Sequence, residues 1–522
     1  MPITRSVLET ARIHPDRPAI AGEDGSLTYA ELVEDSRRLF AVVDAAHRAQ
    51  PRPPAPAPET RGIPITAVST ASAFHAARVV AGLAGYRAVS ATIDPNWPLS
   101  HRVGVIERAG IGLVVADSPD LADALSRRGW TGTLLSLAEL RDREAAARRD
   151  AGAGDHGAGA PADPPTVRDA EEPFLLLFSS GTTSDPKAFL KTRRQYRENV
   201  AVSAAHLGPR PGVQTLAPGP VSYSLTLYAV IECLATGGGV HLADRFDPAR
   251  IATRIADEGI SRVVAVPAVV SALTDAARRD PAALAGLELV VTGGAHLSPA
   301  LRSGLAEVLL DVRLISYYGA AEIGFIGDSR DGDGTVLDVY DGIEAEVRDE
   351  SGARLPEGEL GTLWIRAAAS SDGYLAATTD AALRDADGWA TVHDLARYRD
   401  GRLQLAGRAG EVVATGGHKV SLPEIERAFE ALPGIAAACA VAVPDPRLGT
   451  LVALVVEAPA TAADDDHPPG KAALQAWARE RLAPQFVPRR WYRVDALPRT
   501  AGGKIRRGEA ALLVARGEAE RL

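Results

Sequence analysis

A loop of small hydroxyl and glycine residues carries the strongest chemical signal in this sequence. It reads SSGTTSDPK over residues 179–187 and follows five apolar residues, 174–178. A short apolar run closed by turn residues predicts a buried strand. Backbone N–H groups and hydroxyls of the loop can wrap an anion, because no bulky side chain blocks the approach, and Lys187 adds a positive charge. Lys187 follows Pro186 rather than glycine, so this is not a Walker A sequence. We predict a phosphate-binding loop, with a Ser/Thr-rich surface loop as the alternative.

Lysine is scarce in this chain, which contains 57 basic residues in total. The lysines are Lys187, Lys191, Lys419, Lys471 and Lys504. Arginine cannot mimic the compact charge of lysine at a tight phosphate or carboxylate site, so a retained lysine is a candidate for a special role. Chance retention is the alternative; it is our interpretation of Lys471 and stays open for Lys191. For Lys419, simple exposure is an equal alternative.

Composition limits the classes of function. The 522 residues predict about three domain-sized units, and 46% hydrophobic residues are ample for large cores. The net charge of −10 and the lack of a basic stripe argue against nucleic-acid binding. Two distant cysteines, Cys233 and Cys439, argue against a disulfide framework or a metal cluster. Without a signal-peptide pattern or a membrane-length apolar run, we expect a cytoplasmic protein with no membrane span.

Strands and helices alternate in the first 330 residues, which predicts parallel-rich sheets covered by helices. We expect helices at 193–206 and 267–279, strands at 262–266, 287–291 and 312–318, and a helix capped by Ser298 with Pro299 at its first position. In such sheets ligands collect at the carboxyl ends of strands, where the loop after Phe178, Gly293-Gly294 and Gly319 all fall.

The remaining segments predict smaller elements. Residues 334–365 read as shorter strands with turns, a small barrel-like β part. A small α+β domain follows residue 407, with strands at 440–443 and 451–456 and a helix at 474–482. Flexible loops are expected where Pro, Ala, Gly and Asp dominate, at 50–62, 150–165 and 460–470.

Four later segments complete a recognisable set. They read YYGAAE (317–322), VHDL (392–395), GRAGEVVATGGHKVSLPEIE (407–426) and LPRTAGGKIR (497–506). Together with SSGTTSDPK, their order and spacing resemble the adenylate-forming (AMP-binding) superfamily. That superfamily includes acyl-CoA synthetases, luciferases and the adenylation domains of nonribosomal peptide synthetases. The resemblance covers nearly the whole chain, and its motif style is similar to stand-alone acyl- or aryl-CoA ligases.

The resemblance implies a two-step reaction. A carboxylate and ATP form an acyl-adenylate with release of pyrophosphate, and a thiol then usually attacks. The first step joins two anions, so neutralisation of charge should dominate catalysis. ATP, Mg²⁺ and CoA are the cofactors implied.

The resemblance also assigns residues to the nucleotide site. Loop 179–187 would hold the β- and γ-phosphates, Glu322 would help to place Mg²⁺, and Tyr318 would stack on adenine. Asp394 would accept both ribose hydroxyls. The full set is Ser179, Ser180, Gly181, Thr182, Thr183, Lys187, Gly293, Gly294, Ala295, Tyr318, Gly319, Glu322, Asp394 and Arg408.

Catalysis and domain motion form a second set of implied roles. Lys504 matches the lysine that bridges the substrate carboxylate and the α-phosphate, and Glu322 and Thr182 join it as catalytic candidates. Residues 1–407 would form the adenylation core and 408–522 a small mobile domain. Gly410 would be the hinge, because glycine tolerates the φ/ψ change most easily. Gly416 and Gly417 match the loop that lines the thiol tunnel; an ordinary hairpin turn is the alternative.

The sequence departs from the family pattern at several positions. Ala321 stands where threonine is usual, which removes one hydroxyl contact worth roughly 1 kcal/mol. His393 replaces a usual glycine, as do Ser184 and Ala188. These changes bear on nucleotide geometry and rate.

The acyl pocket is predicted from a segment without acids. Residues 220–227 read PVSYSLTL, whereas amino-acid-activating relatives place an aspartate there. We therefore expect an aryl or acyl carboxylic acid rather than an α-amino acid. The pocket residues predicted are Ser222, Tyr223, Ser224, Tyr317 and Ala320. The alternative is that several of them pack the core.

These observations favour an ATP-dependent, AMP-forming carboxylate–CoA ligase. A stand-alone adenylating enzyme that passes its adenylate to a carrier-protein thiol or an amine, or that activates nitrite for diazotisation, is the main alternative. A catalytically inactive nucleotide-binding relative is the alternative from another class.

Overall fold

The computed structural model describes residues 3–152, 163–179, 186–294, 297, 299–329, 336–415, 418–445, 449–459, 469–482, 484–500 and 503–522. The chain forms two compact units. Unit 1 comprises Met1–Gly294, Leu305–Gly327 and Arg366–Ala390; unit 2 comprises Ala295–Gly304, Asp328–Ile365 and Thr391–Leu522. This division groups 328–365 and 391–407 with the C-terminal residues, whereas the predicted boundary at residue 407 groups them with the core; that boundary stays a prediction.

Helices and strands alternate through the first part of the chain. In order they are α1 Thr4–Ile13, β1 Pro18–Gly22, β2 Gly25–Thr28, α2 Tyr29–Arg48, β3 Ile65–Ser69, α3 Ala73–Leu83, β4 Val89–Thr92, α4 Leu99–Arg108, β5 Leu113–Ala116, α5 Pro119–Arg127, β6 Thr133–Leu135, α6 Leu137–Gly152, β7 Pro173–Phe178, β8 Ala188–Thr192, α7 Arg193–His206, β9 Gln214–Ala217, α8 Ser224–Thr236, β10 Gly239–Leu242, α9 Ile251–Asp257, β11 Arg262–Ala265, α10 Pro267–Arg279, β12 Leu289–Thr292, α11 Pro299–Val308, β13 Arg313–Ala320 and β14 Gly324–Ser329.

Shorter strands dominate the remainder. They and the last helices are β15 Val336–Val339, β16 Glu344–Arg348, β17 Gly361–Arg366, β18 Asp394–Arg399, β19 Arg402–Arg408, β20 Val412–Thr415, β21 His418–Ser421, α12 Leu422–Phe429, β22 Ala437–Asp445, β23 Gly449–Glu457, α13 Lys471–Arg481, β24 Arg490–Val494, α14 Arg507–Arg516 and β25 Glu520–Arg521.

Two parallel-rich sheets build unit 1. One has the order β6-β5-β3-β4-β7-β8, and only the β7–β8 pair at its end is antiparallel. In the other, β13-β12-β11-β9-β10-β1 run parallel and β2 pairs antiparallel with β1. Strands such as β3, β4 and β5 are buried at every position, as expected for a sheet covered on both faces.

Unit 2 is built around antiparallel strands. β17, β18, β19 and β15 pair antiparallel in that order. A second sheet has the order β22-β23-β24-β25, with only β23–β24 parallel. Its side chains alternate between two apolar clusters: Leu454 and Val456 join Phe429 and Trp491 on one face, and Val455 packs with α14 on the other. The predicted fold class is confirmed.

Local signals account for several elements. Helix α7 has the predicted bounds because Thr192 and Gln195 form a reciprocal capping box at its start. Helix α10 also has its predicted bounds and begins at Pro267. The predicted strands are found with ends shifted by at most three residues. The predicted cap Ser298 lies outside the described residues, although α11 does begin at Pro299.

The predicted loop at 50–62 is a loop in the structure, and part of it is packed against the rest of the protein. Residues 50–62 contain a 3₁₀ turn at Pro58–Thr60, with Ala57 and Thr60 buried. The Gln50 amide donates to the carbonyl oxygen of Gly112 at 2.7 Å, which ties the segment to the sheet. The other two predicted loops are 150–165 and 460–470. Most of each, namely residues 153–162 and 460–468, lies outside the described residues.

The state of the two cysteines and the apolar character of the helices complete the description of the fold. Cys233 and Cys439 are free thiols, and both are buried. In the described part of the chain, no helix combines the length and apolar character needed to cross a bilayer.

Candidate active site

The predicted phosphate loop is held closed at its base. The loop joins the antiparallel strands β7 and β8, in which Phe178 pairs with Ala188. Ser179 N donates to Lys187 O at 2.8 Å, and Lys187 N donates to Ser179 Oγ at 3.1 Å. Its other predicted nucleotide contacts (Ser180, Gly181, Thr182 and Thr183) lie outside the described residues.

A tyrosine connects the loop lysine to the predicted metal ligand. The hydroxyl of Tyr374 donates to Glu322 Oε1 at 3.2 Å, and the ammonium of Lys187 lies 5.1 Å from the centre of the Tyr374 ring. Unit 1 therefore brings together the lysine predicted to bind phosphate and the carboxylate predicted to bind the metal. Tyr374 was not predicted; a tyrosine after Gly373 carries no distinctive sequence signal.

Glu322 suits Mg²⁺ on its own chemistry. Its side chain is buried between the end of β13 and the start of β14, so its carboxylate is directed by structure rather than solvated. Tyr374 occupies one oxygen with a single hydrogen bond, which leaves lone pairs for a hard cation. Mg²⁺ commonly binds proteins through one or two carboxylates and completes its shell with phosphate oxygens and water. Within the described residues no cluster of three metal-ligating side chains occurs.

Lys191 is a residue that the sequence reasoning undervalued. It is almost completely buried in β8, and Nζ donates to the backbone carbonyl oxygens of Glu322 at 2.8 Å and Ala369 at 2.7 Å. Burial lowers the pKa of Lys191 to about 7, although Glu322 acts in the opposite direction. Chance retention is therefore wrong for this lysine. A lysine in an otherwise buried strand of a lysine-poor chain was the available signal.

The predicted turn beside adenine is tightly packed. Gly294 has φ +79°, in the left-handed region. A Cβ on Gly293 would lie 2.5 Å from Tyr317 Cζ, so only glycine fits against this ring. Tyr318 and Gly319 follow on β13, half-buried, and a Cβ on Gly319 would lie 2.6 Å from Gly324 O. Ala295 lies outside the described residues.

Aromatic rings lie next to the predicted acyl pocket. The centre of the Tyr317 ring lies 4.8 Å from that of Phe325 in an edge-to-face contact, and Tyr228 of α8 makes a second edge-to-face contact with Phe325 at 4.6 Å. Ala320 ends β13, and Ser224 begins α8. Tyr223, just before α8, is half-buried. These contacts place Tyr317 in an aromatic cluster of unit 1.

Ser222 carries an unsatisfied group. Its Oγ is buried and has no hydrogen-bond partner within the described residues. A buried hydroxyl without a partner costs about 1–3 kcal/mol. The nearest acid along α8, Glu232, is buried and paired with Arg262 at 2.6 Å.

Unit 2 carries the remaining predicted residues. Asp394 and Arg408 pair across β18 and β19, with Nε 3.0 Å from Oδ1. Lys504 lies in a turn in which Thr500 N donates to Lys504 O at 2.8 Å. Although the Lys504 side chain is exposed, desolvation of its ammonium, followed by the charge of Arg408, lowers its pKa. Asp394 and Glu411 act in the opposite direction, so all these groups lie within electrostatic range of one another.

The predicted hinge and tunnel are only partly described. Gly410 lies in a 3₁₀ turn at Ala409–Glu411. Gly416 and Gly417 lie outside the described residues, and of Lys419 only the backbone is described, as part of β21. The hinge and tunnel roles stay predictions.

His393 has an unusual backbone conformation. Its φ is +62°, in the left-handed region, and its N–H donates to Thr391 Oγ1 at 3.0 Å. This region costs a non-glycine residue about 1–2 kcal/mol. The histidine that replaces the family's usual glycine therefore has a strained backbone, and it lies one residue before Asp394.

Comparisons with known proteins decide the family. The protein-family model described as AMP-binding enzyme matches residues 66–375. The family model described as AMP-binding enzyme C-terminal domain matches residues 424–504. The chain belongs to the AMP-binding enzyme family. This is a family of enzymes, and the resemblance predicted from the five motifs is confirmed.

Individual relatives of this AMP-binding enzyme span most of the chain. This chain is 27% identical over 513 residues to an uncharacterised acyl-CoA ligase, YhfT, of Bacillus subtilis, and the match covers 97% of each chain. It is 33% identical over 425 residues to a salicylyl-CoA synthase / salicylate adenylyltransferase of a Streptomyces species, covering 77% of this chain and 73% of the relative. The structure of ATP-bound MatB from Rhodopseudomonas palustris matches with a TM-score of 0.81 and 22% identity over 97% of this chain and 98% of that one, which shows the same fold.

Proposed function

We propose that this enzyme activates a carboxylic acid with ATP, releases pyrophosphate and transfers the acyl group from the adenylate to the thiol of CoA. The observation that carries the proposal is the linked set of Lys187, Tyr374 and Glu322 in an AMP-binding enzyme whose other unit holds Asp394, Arg408 and Lys504. Relatives named acyl-CoA ligase or synthase support CoA as the acceptor.

The first step is a displacement at phosphorus. A carboxylate oxygen forms a bond to the α-phosphorus of ATP, and the bond from that phosphorus to the pyrophosphate oxygen breaks. Because both reactants are anions, their approach requires neutralisation. Lys187 would bind the outer phosphates, and Lys504 would bridge the carboxylate and the α-phosphate. Glu322 would hold Mg²⁺, which supplies charge neutralisation on the phosphates when bound.

The second step is acyl transfer. The CoA thiolate forms a bond to the acyl carbon, and the bond from that carbon to the AMP oxygen breaks. A positive charge at the α-phosphate is needed only in the first step. This difference suits a lysine on a turn at the surface of unit 2, such as Lys504.

We further propose an aryl acid with a polar substituent as the substrate. The edge-to-face pair of Tyr317 and Phe325 suits a flat apolar ring, because aromatic rings favour such contacts. The unpartnered hydroxyl of Ser222 suits a polar substituent on that ring. Glu232 is committed to Arg262 and is not available to an ammonium group, which supports the exclusion of α-amino acids.

The test is product analysis over a panel of acids. ATP, Mg²⁺ and each aryl, aliphatic or amino acid would be incubated with and without CoA, and AMP, pyrophosphate and acyl-CoA masses would be measured. We expect AMP and an aryl-CoA from a hydroxylated benzoate or cinnamate. Lys504→Ala should abolish AMP formation and retain ATP binding.

Other outcomes would change the proposal. Adenylate without a CoA product would move the acceptor to a carrier-protein thiol, an amine or nitrite chemistry. An α-amino acid as the best substrate would overturn the assignment of the pocket. Unchanged turnover in Lys504→Ala would overturn the role of that lysine.

A further inference from the structure

The ammonium of Lys191 is buried in an unusual environment. All five residues of β8 are buried, and the two hydrogen bonds described for Nζ end on neutral carbonyl oxygens rather than on a carboxylate. Burying a charge is costly unless its hydrogen bonds are satisfied. A neutral side chain would pack this strand at lower cost, so the lysine requires an explanation beyond packing.

Both carbonyl oxygens that accept from Lys191 are connected with the predicted metal ligand, Glu322. One is the backbone oxygen of Glu322 itself, and the other is that of Ala369. Ser371 N also donates to Glu322 O at 2.8 Å, and the Tyr374 hydroxyl donates to its carboxylate. Segment 369–374 therefore holds Glu322 at both its backbone and its side chain, and Lys191 ties the start of that segment to the same backbone oxygen.

We propose that Lys191 is a positioning residue that fixes the direction of the Glu322 carboxylate for the metal–nucleotide complex. The inference rests on the proposed function, because it requires Glu322 to hold the metal. The lysine does not touch the nucleotide in this account. It acts through the backbone of Glu322, whose rotation would otherwise move the carboxylate oxygens away from the metal.

The geometry explains why an ammonium serves here. One tetrahedral group can donate to two carbonyl oxygens that approach from different directions, and a hydrogen bond from a charged donor is stronger than one from a neutral donor. A methionine would fill a similar volume without any donor. Both carbonyl oxygens would then lose their lysine hydrogen bonds, although Glu322 O would keep the one from Ser371.

The chain offers a matched control in Arg384. Its guanidinium donates to Ser371 O at 2.6 Å and to Ser370 O at 2.5 Å. It therefore holds the same segment, but its described bonds do not involve Glu322. Arg384→Met loosens the segment and leaves the bonds of Lys191 in place, which separates general stability from the direction of the carboxylate.

The experiment measures metal–nucleotide binding rather than turnover. Mn²⁺ would be titrated into the full-length protein with ATP and followed by electron paramagnetic resonance. Thermal unfolding would be recorded for wild type, Lys191→Met, Arg384→Met and Lys191→Arg. We expect Lys191→Met to weaken Mn²⁺·ATP binding at least tenfold and Arg384→Met less than threefold, with both variants lowering the melting temperature. Lys191→Arg keeps the charge and donors and should recover part of the affinity.

Three results would overturn the inference. Wild-type affinity in Lys191→Met would remove any positioning role, and equal weakening in both methionine variants would reduce the lysine to a stabiliser of segment 369–374. If Lys191→Met does not fold, Lys191→Gln, which keeps an N–H donor pair without the charge, is judged by the same two criteria. Failure of the wild type to bind Mn²⁺·ATP would overturn the proposed function as well, whereas normal wild-type binding with an unaffected variant would overturn this inference alone.

Discussion

Arg507 Nη2 lies 3.2 Å from Glu411 Oε1, and this ion pair joins the residue after the predicted hinge to the helix that begins three residues after Lys504. The same guanidinium bonds to Glu426 and donates to Ala440 O at 2.9 Å. Glu411 also accepts from the backbone N–H of Arg408 at 3.1 Å. One continuous set of bonds thus runs from Asp394 through Arg408 and Glu411 to Arg507.

Loss of this arginine should destabilise unit 2. Arg507→Met leaves the partly buried carboxylate of Glu426 without its cation, and desolvation already raises the pKa of that carboxyl. Breaking such a partly buried network should lower the free energy of unfolding by about 2–4 kcal/mol. Urea denaturation measures this value. Arg506→Met is the matched control: its ion pair with Glu509 is about half exposed, so its loss should cost less than about 1 kcal/mol. Similar losses in the two variants would contradict the prediction.

The strained backbone at His393 predicts a stabilising substitution. His393→Gly removes a strain of about 1–2 kcal/mol from the folded state. It also lowers stability by roughly 0.5–1 kcal/mol, because glycine gives the unfolded chain more conformational freedom. We expect a net gain of about 0.5–1 kcal/mol in the free energy of unfolding. His393→Ala removes the imidazole but keeps the strain, and should give no gain. If alanine stabilises as much as glycine, the imidazole and not the backbone is responsible.

Gly293 and Tyr317 should be coupled energetically. Gly293→Ala places a methyl group 2.5 Å from the tyrosine ring, so the ring must move and the predicted adenine and acyl contacts with it. We expect a loss of about 1–3 kcal/mol in stability and weaker ATP binding in calorimetry. In a Tyr317→Leu background the same substitution should cost clearly less. An equal cost in both backgrounds would show that the clash is relieved elsewhere.

The adenylation rate should fall at alkaline pH. The proposed role of Lys504 requires its charged form, and desolvation together with Arg408 lowers the pKa of this ammonium. The charge is therefore lost at a lower pH than in an ordinary lysine, and kcat/KM for the first step should decline on the alkaline side. Measurement of ATP–pyrophosphate exchange against pH checks this.

Two substitutions should move that decline in opposite directions. Arg408→Gln removes a cation that lowers the pKa of Lys504, so the decline should shift to higher pH. Glu411→Gln removes an anion that raises it, so the decline should shift to lower pH. Shifts in the same direction, or an unchanged decline in Lys504→Arg, would contradict the assignment of the titrating group.

Periodicity and stop signals sufficed for several elements of the fold. Helices α7 and α10 have their predicted bounds, and for α7 the signals were one apolar helical face and the stop at Gly208-Pro209. Strand ends were less accurate, because a strand extends as far as its neighbours can pair: β22 and β23 continue past their apolar cores through a long antiparallel register. Turns at Gly342, Gly352 and Gly358 have the positive φ expected of their glycines.

The site was predicted from its motifs but not from its tertiary contacts. The loop composition indicated Lys187, and Glu322 followed from the family resemblance, whereas the tyrosine between them comes from a distant segment. Lys191 was misjudged for a similar reason: its acceptors lie 131 and 178 residues away in sequence. The strain at His393 depends on a φ angle that no single-sequence pattern specifies.

The burial of both cysteines has a practical consequence for an enzyme that would hand an activated acyl group to a thiol. Burial raises the pKa of Cys233 and of Cys439 to about 12, so neither forms the thiolate that attacks an acyl-adenylate or a disulfide reagent near neutral pH. The chain has no other cysteine. The folded protein should therefore escape acylation at sulfur by its own product. Thiol reagents added during turnover would report the consumption of CoA alone, against a protein background close to zero.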